Sequence, residues 1–366
     1  MSYSQVGADV HSIFARICLE DGGAASCVER LSMNCFLTGA SGFIGANLAR
    51  QLAARGHGVK ALVRADSDLR GLAGVEYEPV AGDLAQRPAL EKAMRGCDWC
   101  FHVAASYHLW LRDYAPMYAA NVEGTRNVLE AAMSAGCRRI VYTSTVGCIG
   151  LPRLDLGQIV PGDESTPVSE AQMSNHYKRS KWRAETVARE LAAKGGPVVI
   201  VNPSTPIGPW DMKPTPTGKI VLDFLRRKMP AYLDTGLNWV HVRDVAAGHI
   251  LAAEKGRVGE RYILGNAEGN WTMKQALDVL EELTGIPAPK FRVPYGVALA
   301  AAYFDEALSA VTGRPPKAPL AGVRMARHKM FFNPAKAISE LGLPQTPARQ
   351  AFADAVQWFG DHAAAS

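Results

Sequence analysis

Apolar positions between residues 33 and 206 follow two rhythms in turn. Short continuous apolar runs at 33–38, 58–64, 75–80, 98–104, 138–144 and 197–202 predict buried strands. Segments 43–55, 86–95, 115–135 and 174–194 instead repeat apolar residues at helical spacing. Strand and helix in regular turn predict an α/β fold, a doubly wound parallel sheet with helices on both faces. Proline and glycine crowd residues 203–218, and the alternation stops there. Helical patterns at 219–228, 272–284, 294–311 and 348–359 then predict a smaller mixed part over 207–366, with later segments returning to the first part.

The most apolar stretch, Tyr295 to Val311, is interrupted by Asp305 and Glu306, so a buried amphipathic helix is expected rather than a membrane span. Residues 1–32 match neither a signal peptide nor a strand–helix unit, and Met33 directly precedes the first strand. They are expected to be a poorly ordered, dispensable extension.

Composition changes this picture little. The 366 residues are 48% hydrophobic and 20% charged, ordinary for a soluble, cytoplasmic protein. A net charge of +5 suits anionic small ligands such as nucleotides and is too dispersed to argue for nucleic acid. Arg226 to Lys228, and Arg324, Arg327 and Lys329, read as solvated helix faces. Seven scattered cysteines include one Cys97-x-x-Cys100 with no second pair, which reads as buried reduced thiols and no metal site.

Candidate chemistry begins at the first strand. Gly39, Gly42 and Gly45 follow it at three-residue spacing and open a helix, with Ser41, Phe43 and Ile44 between and beside them. Unpaired N–H groups and the helix dipole there would face a pyrophosphate. Gly39 would permit the tight turn, Gly42 the approach of phosphate, and Gly45 close packing of helix on strand. Tyr177 and Lys181 stand four apart at the start of a helix and share a face. A nearby ammonium would lower the phenol's pKa and ready it for proton exchange. By spacing alone, a surface Tyr and Lys explain the pair better. Ser144 and Thr145 close the fifth strand, where a hydroxyl could hold a substrate oxygen, and Asn121 could support Lys181 through backbone or water.

Thr38-Gly39-Ala40-Ser41-Gly42-Phe43-Ile44-Gly45, Gly82-Asp83-Leu84, His102-Val103-Ala104-Ala105, Asn121-Val122-Glu123-Gly124-Thr125, Tyr142-Thr143-Ser144-Thr145, Tyr177-x-x-x-Lys181 and Asn202-Pro203 occur in one order. This set resembles the extended short-chain dehydrogenase/reductases, the NAD-dependent epimerase/dehydratase family, over about residues 33–360. Within it the chain is most similar to the hopanoid-associated sugar epimerases and, through them, to dihydroflavonol reductases. The resemblance implies a Rossmann domain over 33–206 that binds NAD(P). It implies Tyr177 as general acid/base, Lys181 as the residue that lowers its pKa and holds the nicotinamide ribose, and Thr145 at the family's Ser/Thr position, with Ser144 the neighbouring alternative. Asp83 and Leu84 would contact adenine, Ala104 and Ala105 would line the nucleotide, and Asn202 and Pro203 would lie near nicotinamide. Many relatives also dimerise through the helices near 115–135 and 174–194.

The second strand ends Val63-Arg64, with Val63 at the position usually acidic in NAD enzymes, so Arg64 is expected to favour NADP(H), with NAD(H) as the alternative. The reaction expected is hydride transfer at a carbinol or ketone carbon, in a sugar epimerase or an NADPH-dependent ketone reductase; a non-catalytic dinucleotide sensor is the third reading. Tyr107, Trp110 and Trp210 are the candidate pocket walls, and Trp239 and His241 lie in a strand-like stretch that the family places beside the substrate crevice. His102, in an apolar strand, reads as a satisfied core histidine.

Overall fold

The structure, a computed structural model, describes residues 32–362, so the expectation about residues 1–32 lies outside the described residues apart from Ser32. Seven strands form the main sheet: β1 (Asn34–Thr38), β2 (Gly58–Val63), β3 (Glu78–Ala81), β4 (Trp99–His102), β5 (Arg139–Thr143), β6 (Val198–Pro203) and β7 (Arg261–Leu264). Their order is β7-β6-β5-β4-β1-β2-β3, and every neighbouring pair is parallel. The chain winds one way from β1 to β3 and the other way from β4 to β7. The reversal falls between β1 and β4, where sheets of this kind bind ligands beyond their strand ends.

Consecutive side chains of a strand point to opposite faces, and the strands use both. Leu37, Phe101, Val141 and Val201 meet Leu48 and Leu52 of α1 (Phe43–Ala54) and Val245 and Ile250 of α6 (Val242–Lys255). Phe36, Cys100, Ile140 and Ile200 meet the other layer: α2 (Arg87–Met94), α3 (Gly124–Ser134) and α4 (His176–Ala193). The strand–helix alternation does resume after residue 207, because α6 and β7 complete this sheet.

The expected helix over 115–135 is divided. A single helical turn, Ala115–Tyr118, passes into a π-helical segment, Ala119–Glu123, before α3 begins. That widened turn carries Asn121, and such turns tend to mark functional positions. A small hairpin of Arg153–Asp155 and Gln158–Val160 was not foreseen in the sequence.

The C-terminal lobe combines a small mixed sheet, Thr205–Ile207, Gly236–His241, Asn270–Thr272 and Lys329–Met330, with α5 (Pro216–Leu225), α7 (Met273–Thr284) and α10 (Ala348–His362). Trp239, Leu277, Leu280 and Phe352 fill its core. Both lobes belong to one compact unit that starts at Met33. Cys35, Cys97, Cys100, Cys137 and Cys148 are buried free thiols, whereas Cys18 and Cys27 lie outside the described residues.

One expectation fails outright. The apolar helix α8 (Tyr295–Thr312) is not buried: only Ala302 and Ser309 are fully covered, against α9 (Leu320–Met325) and its neighbours. A helix reads as buried when its apolar residues have a layer to meet, and among the described residues α8 has a partner on one side only.

Candidate active site

The glycine turn is shaped for close backbone approach. Gly39 has φ +74°, and a Cβ there would stand 2.6 Å from the Ala104 backbone nitrogen. A Cβ on Gly45 would stand 2.0 Å from the Gly39 carbonyl oxygen, so only glycine lets α1 start against β1. Gly42 caps α1 and donates its N–H to Gly39 O at 3.0 Å. The first turn of α1 carries no acid that would repel an anion. Half-buried Ser41, Phe43 and Ile44 line this turn.

The rim is fixed by short-range bonds. Thr38 Oγ1 accepts from Ala104 N at 3.2 Å and pairs with His102 Nδ1 at 2.8 Å, while His102 Nε2 pairs with Thr125 at 3.0 Å. Burial drives the His102 pKa down to about 3, so this neutral ring belongs to the core. Ala105 is exposed just beyond Ala104. Asp83 is exposed and accepts from Ala85 N, and Leu84 lies against Gly124, where an added Cβ would come within 3.0 Å of it. Arg64 is exposed, with its guanidinium 3.2 Å from Asp66.

Asn175 caps α4 by accepting from Lys178 N, and Tyr177 follows in the first turn. The rings of Tyr107 and Tyr177 meet edge to face with centroids 4.3 Å apart. Lys181, on the same helix face, donates from Nζ to the Thr143 carbonyl at 2.7 Å and lies over the Tyr142 ring. Burial lowers the Lys181 pKa to about 8. The phenol of Tyr177 behaves opposite to the expectation. Burial, then Tyr107 and Cys148, push it above the ordinary tyrosine value. Although the side chain keeps some exposure, it is crowded by apolar and aromatic groups. Lys181 is engaged by a backbone carbonyl and does not depress it.

The two hydroxyls at the end of β5 differ. Ser144 is buried and donates to Glu185 Oε2, while Thr145 is half-buried and accepts from Gly147 N at 3.1 Å. Of the two, Thr145 keeps the more exposed side chain. Glu185 was missed in the sequence. Its Oε2 also accepts from Asn202 Nδ2 at 2.9 Å, and its Oε1 lies 3.2 Å from Arg261. Asn202 reaches Thr145 O as well, at 3.0 Å, and Pro203 ends β6 beside it. A signal was present: Tyr177, Lys181 and Glu185 stand at i, i+4 and i+8 on one helix.

The Asn121 side chain bonds directly to residues other than Lys181. Its amide accepts from Ser106 N at 2.7 Å and donates to Ser106 O and Ser180 Oγ, both at 2.9 Å, which ties the loop after β4 to α4. Trp210 does not serve as an open pocket wall. Its ring is held between the Arg50 guanidinium, 3.4 Å from its centroid, and Trp358. Trp239 is likewise core, packed on Phe352, and His241 pairs with Asp354 at 2.9 Å. Trp110 is half-buried in the loop that carries Tyr107.

A parallel sheet with a glycine-rich strand-to-helix turn at its reversal, and a helix carrying Tyr177 and Lys181, is the architecture of nicotinamide-dinucleotide enzymes. The model of the NAD dependent epimerase/dehydratase family matches residues 35–265. The chain belongs to that family and is an NAD(P)-dependent enzyme of the extended short-chain dehydrogenase type. A Synechocystis sp. protein, provisionally named a dihydroflavonol 4-reductase, is 48% identical over 89% of this chain and 94% of its own length. Sterol demethylase protein B of Methylococcus capsulatus is 35% identical over 89% of this chain and 98% of its own. The crystal structure of gox2253 superimposes with a TM-score of 0.79 at 44% identity, covering 90% of this chain and 99% of that one.

Proposed function

We propose that the protein is an NADP(H)-dependent reductase that interconverts a ketone and a secondary alcohol on a largely apolar substrate. The observation that carries the reading is the Tyr177 phenol, packed edge to face on the Tyr107 ring and kept in its protonated form by burial. A protonated phenol is the acid that ketone reduction needs.

The glycine turn suits a dinucleotide, because the backbone contacts that Gly39 and Gly45 permit bring the start of α1 hard against β1, and the first turn of that helix carries no acid to repel a pyrophosphate. Gly39, Ser41, Gly42, Phe43, Ile44 and Gly45 would hold the pyrophosphate, Asp83, Leu84, Ala104 and Ala105 the adenosine side, and Asn202, Pro203 and Lys181 the nicotinamide side. The bound nicotinamide supplies hydride. Thr145 orients the substrate carbonyl by donating to its oxygen. Tyr177 gives its proton to that oxygen as the alkoxide forms. Lys181, held on Thr143 O, then faces the phenolate left behind and limits its cost. Tyr107 forms one wall of the pocket and shields the phenol from water.

Arg64 supports NADP(H) over NAD(H). It is free of any buried partner, and its exposed pair with Asp66 is a weak one that a 2′-phosphate could replace. Ser67, whose hydroxyl accepts from Arg64 N, shapes the same turn. An apolar ring-bearing substrate fits the names of the two relatives, since a dihydroflavonol and a sterol are both fused-ring bodies.

The second reading is sugar epimerisation, with the hydride returned to the same carbon. The family description favours it. A panel of dihydroflavonol, sterol ketone and nucleotide sugars, followed by absorbance of the reduced ring, separates the two. Stoichiometric loss of NADPH with an apolar ketone supports reduction. Inversion of a sugar with no net change in dinucleotide supports epimerisation instead.

A further inference from the structure

α8 displays an apolar stripe on which none of the described residues packs. Val297, Ala301, Phe304, Leu308 and Val311 recur at intervals of four and three and so share one face. Val297 is 60% exposed, Phe304 73%, Leu308 49% and Val311 86%. The two buried residues, Ala302 and Ser309, lie on the opposite side. Of the helix's two acids, Glu306 lies opposite the stripe and Asp305 borders it. Asp305 accepts from Ala318 N at 2.8 Å and Glu306 from Leu320 N at 3.1 Å, so both are bound by the following loop.

Basic residues flank this helix in the chain, one of them, Arg292, paired with Asp234 at 3.2 Å. Lys290 and Arg292 precede the helix, and Arg314 and Lys317 follow it, all four exposed. Arg324 reaches back to Tyr303 Oη at 2.9 Å. An apolar helix face flanked by cations is the pattern of a helix lying in the plane of a bilayer, with anionic headgroups meeting the cations. Among the described residues no helix is long and apolar enough to cross a membrane, so α8 would lie on the surface and not span it. A second copy of the chain fits less well. The stripe offers roughly 500 Å², short of the ~800 Å² per partner of a standard interface, and its cations would face each other across a two-fold axis.

We propose that the α8 face docks on an anionic lipid bilayer. The surface has a mechanical link to the site. Arg112, on the loop that carries Tyr107, donates to Gly313 O at the end of α8, at 3.0 Å. Docking would therefore bring the loop that carries Tyr107 close to the lipid, which suits a substrate dissolved there. The docking claim itself does not depend on the chemistry assigned to Tyr177.

Co-sedimentation of the full-length protein with vesicles tests it. Vesicles of phosphatidylcholine and phosphatidylglycerol in equal parts should pull the protein down, and phosphatidylcholine alone should do so at least tenfold less. F304S and V311S, both at exposed positions, should keep the wild-type melting temperature and lose vesicle binding at least tenfold. K317E should lose it in part, as should wild type at high salt. Absence of binding to the anionic vesicles overturns the proposal. So does a vesicle-free dimer that F304S dissociates, because a second copy would then own the face. Shielding of Phe304 from carbene labelling in a vesicle-free monomer overturns it too, since another part of the chain would then cover the stripe.

Discussion

Lys181 Nζ lies 2.7 Å from the carbonyl oxygen of Thr143, and this bond decides what the lysine can do. A buried ammonium whose pKa falls to about 8 needs an acceptor to stay charged, and the strand end provides one. The cation is thus fixed near the phenol of Tyr177 without depressing that phenol at rest. In the proposed reaction its value comes when a phenolate forms. K181M should leave dinucleotide-independent folding intact while lowering ketone reduction about 100-fold or more, measured as NADPH consumption.

Cofactor preference is expected to follow the turn after β2. R64A should weaken NADP(H) about tenfold and leave NAD(H) within twofold, measured by fluorescence titration of the two reduced dinucleotides. D66A removes the competing carboxylate and should shift preference further towards NADP(H). Tighter NAD(H) than NADP(H) binding by the wild type would contradict the assignment of Arg64.

Much of this was readable beforehand, for identifiable reasons. β1, β4, β5 and β6 are buried on both faces, so their sequences are continuous apolar runs. Gly45 was readable because the helix must start against Gly39 O, a demand that only glycine meets. The directions of Asn121 and Trp210 were not readable. Asn121 sits on a π-helical turn whose one-residue shift no periodicity announces, and it turns to Ser106 and Ser180. Trp210 has φ +71° and is stacked by Arg50 and Trp358, which are distant in sequence. α8 misled because composition reports how apolar a helix is and not whether another layer will meet it.

G45A should destabilise the protein by about 3 kcal/mol or more, since the new Cβ would meet backbone and not a movable side chain. Dinucleotide binding should disappear with it. Urea melts, with and without NADPH, check both.

Glu185 joins Ser144, Asn202 and Arg261 beneath the site. E185Q keeps the shape but leaves Arg261 without its buried counter-charge. A loss of about 3–5 kcal/mol in unfolding free energy is expected. An unchanged melt would show that the pair adds nothing to stability.

His102 and His249 are buried neutral, with pKa values lowered to about 3 and about 4 by burial. In the unfolded chain both titrate near 6.5, so their contribution is complete above that pH. It falls as pH drops from about 6.5 towards 4, by roughly 1.4 kcal/mol per imidazole per pH unit. Urea melts at pH 7 and pH 5 should differ in this direction, and H249Q should flatten the dependence.

The central claim is that Tyr177 is the proton donor to the substrate oxygen, and Y177F tests it most directly. With NADPH and an apolar ketone that the wild type reduces, the variant should bind NADPH within twofold of wild type yet reduce the ketone at least about 100-fold more slowly. Reduction at the wild-type rate, with binding equally intact, would contradict the account.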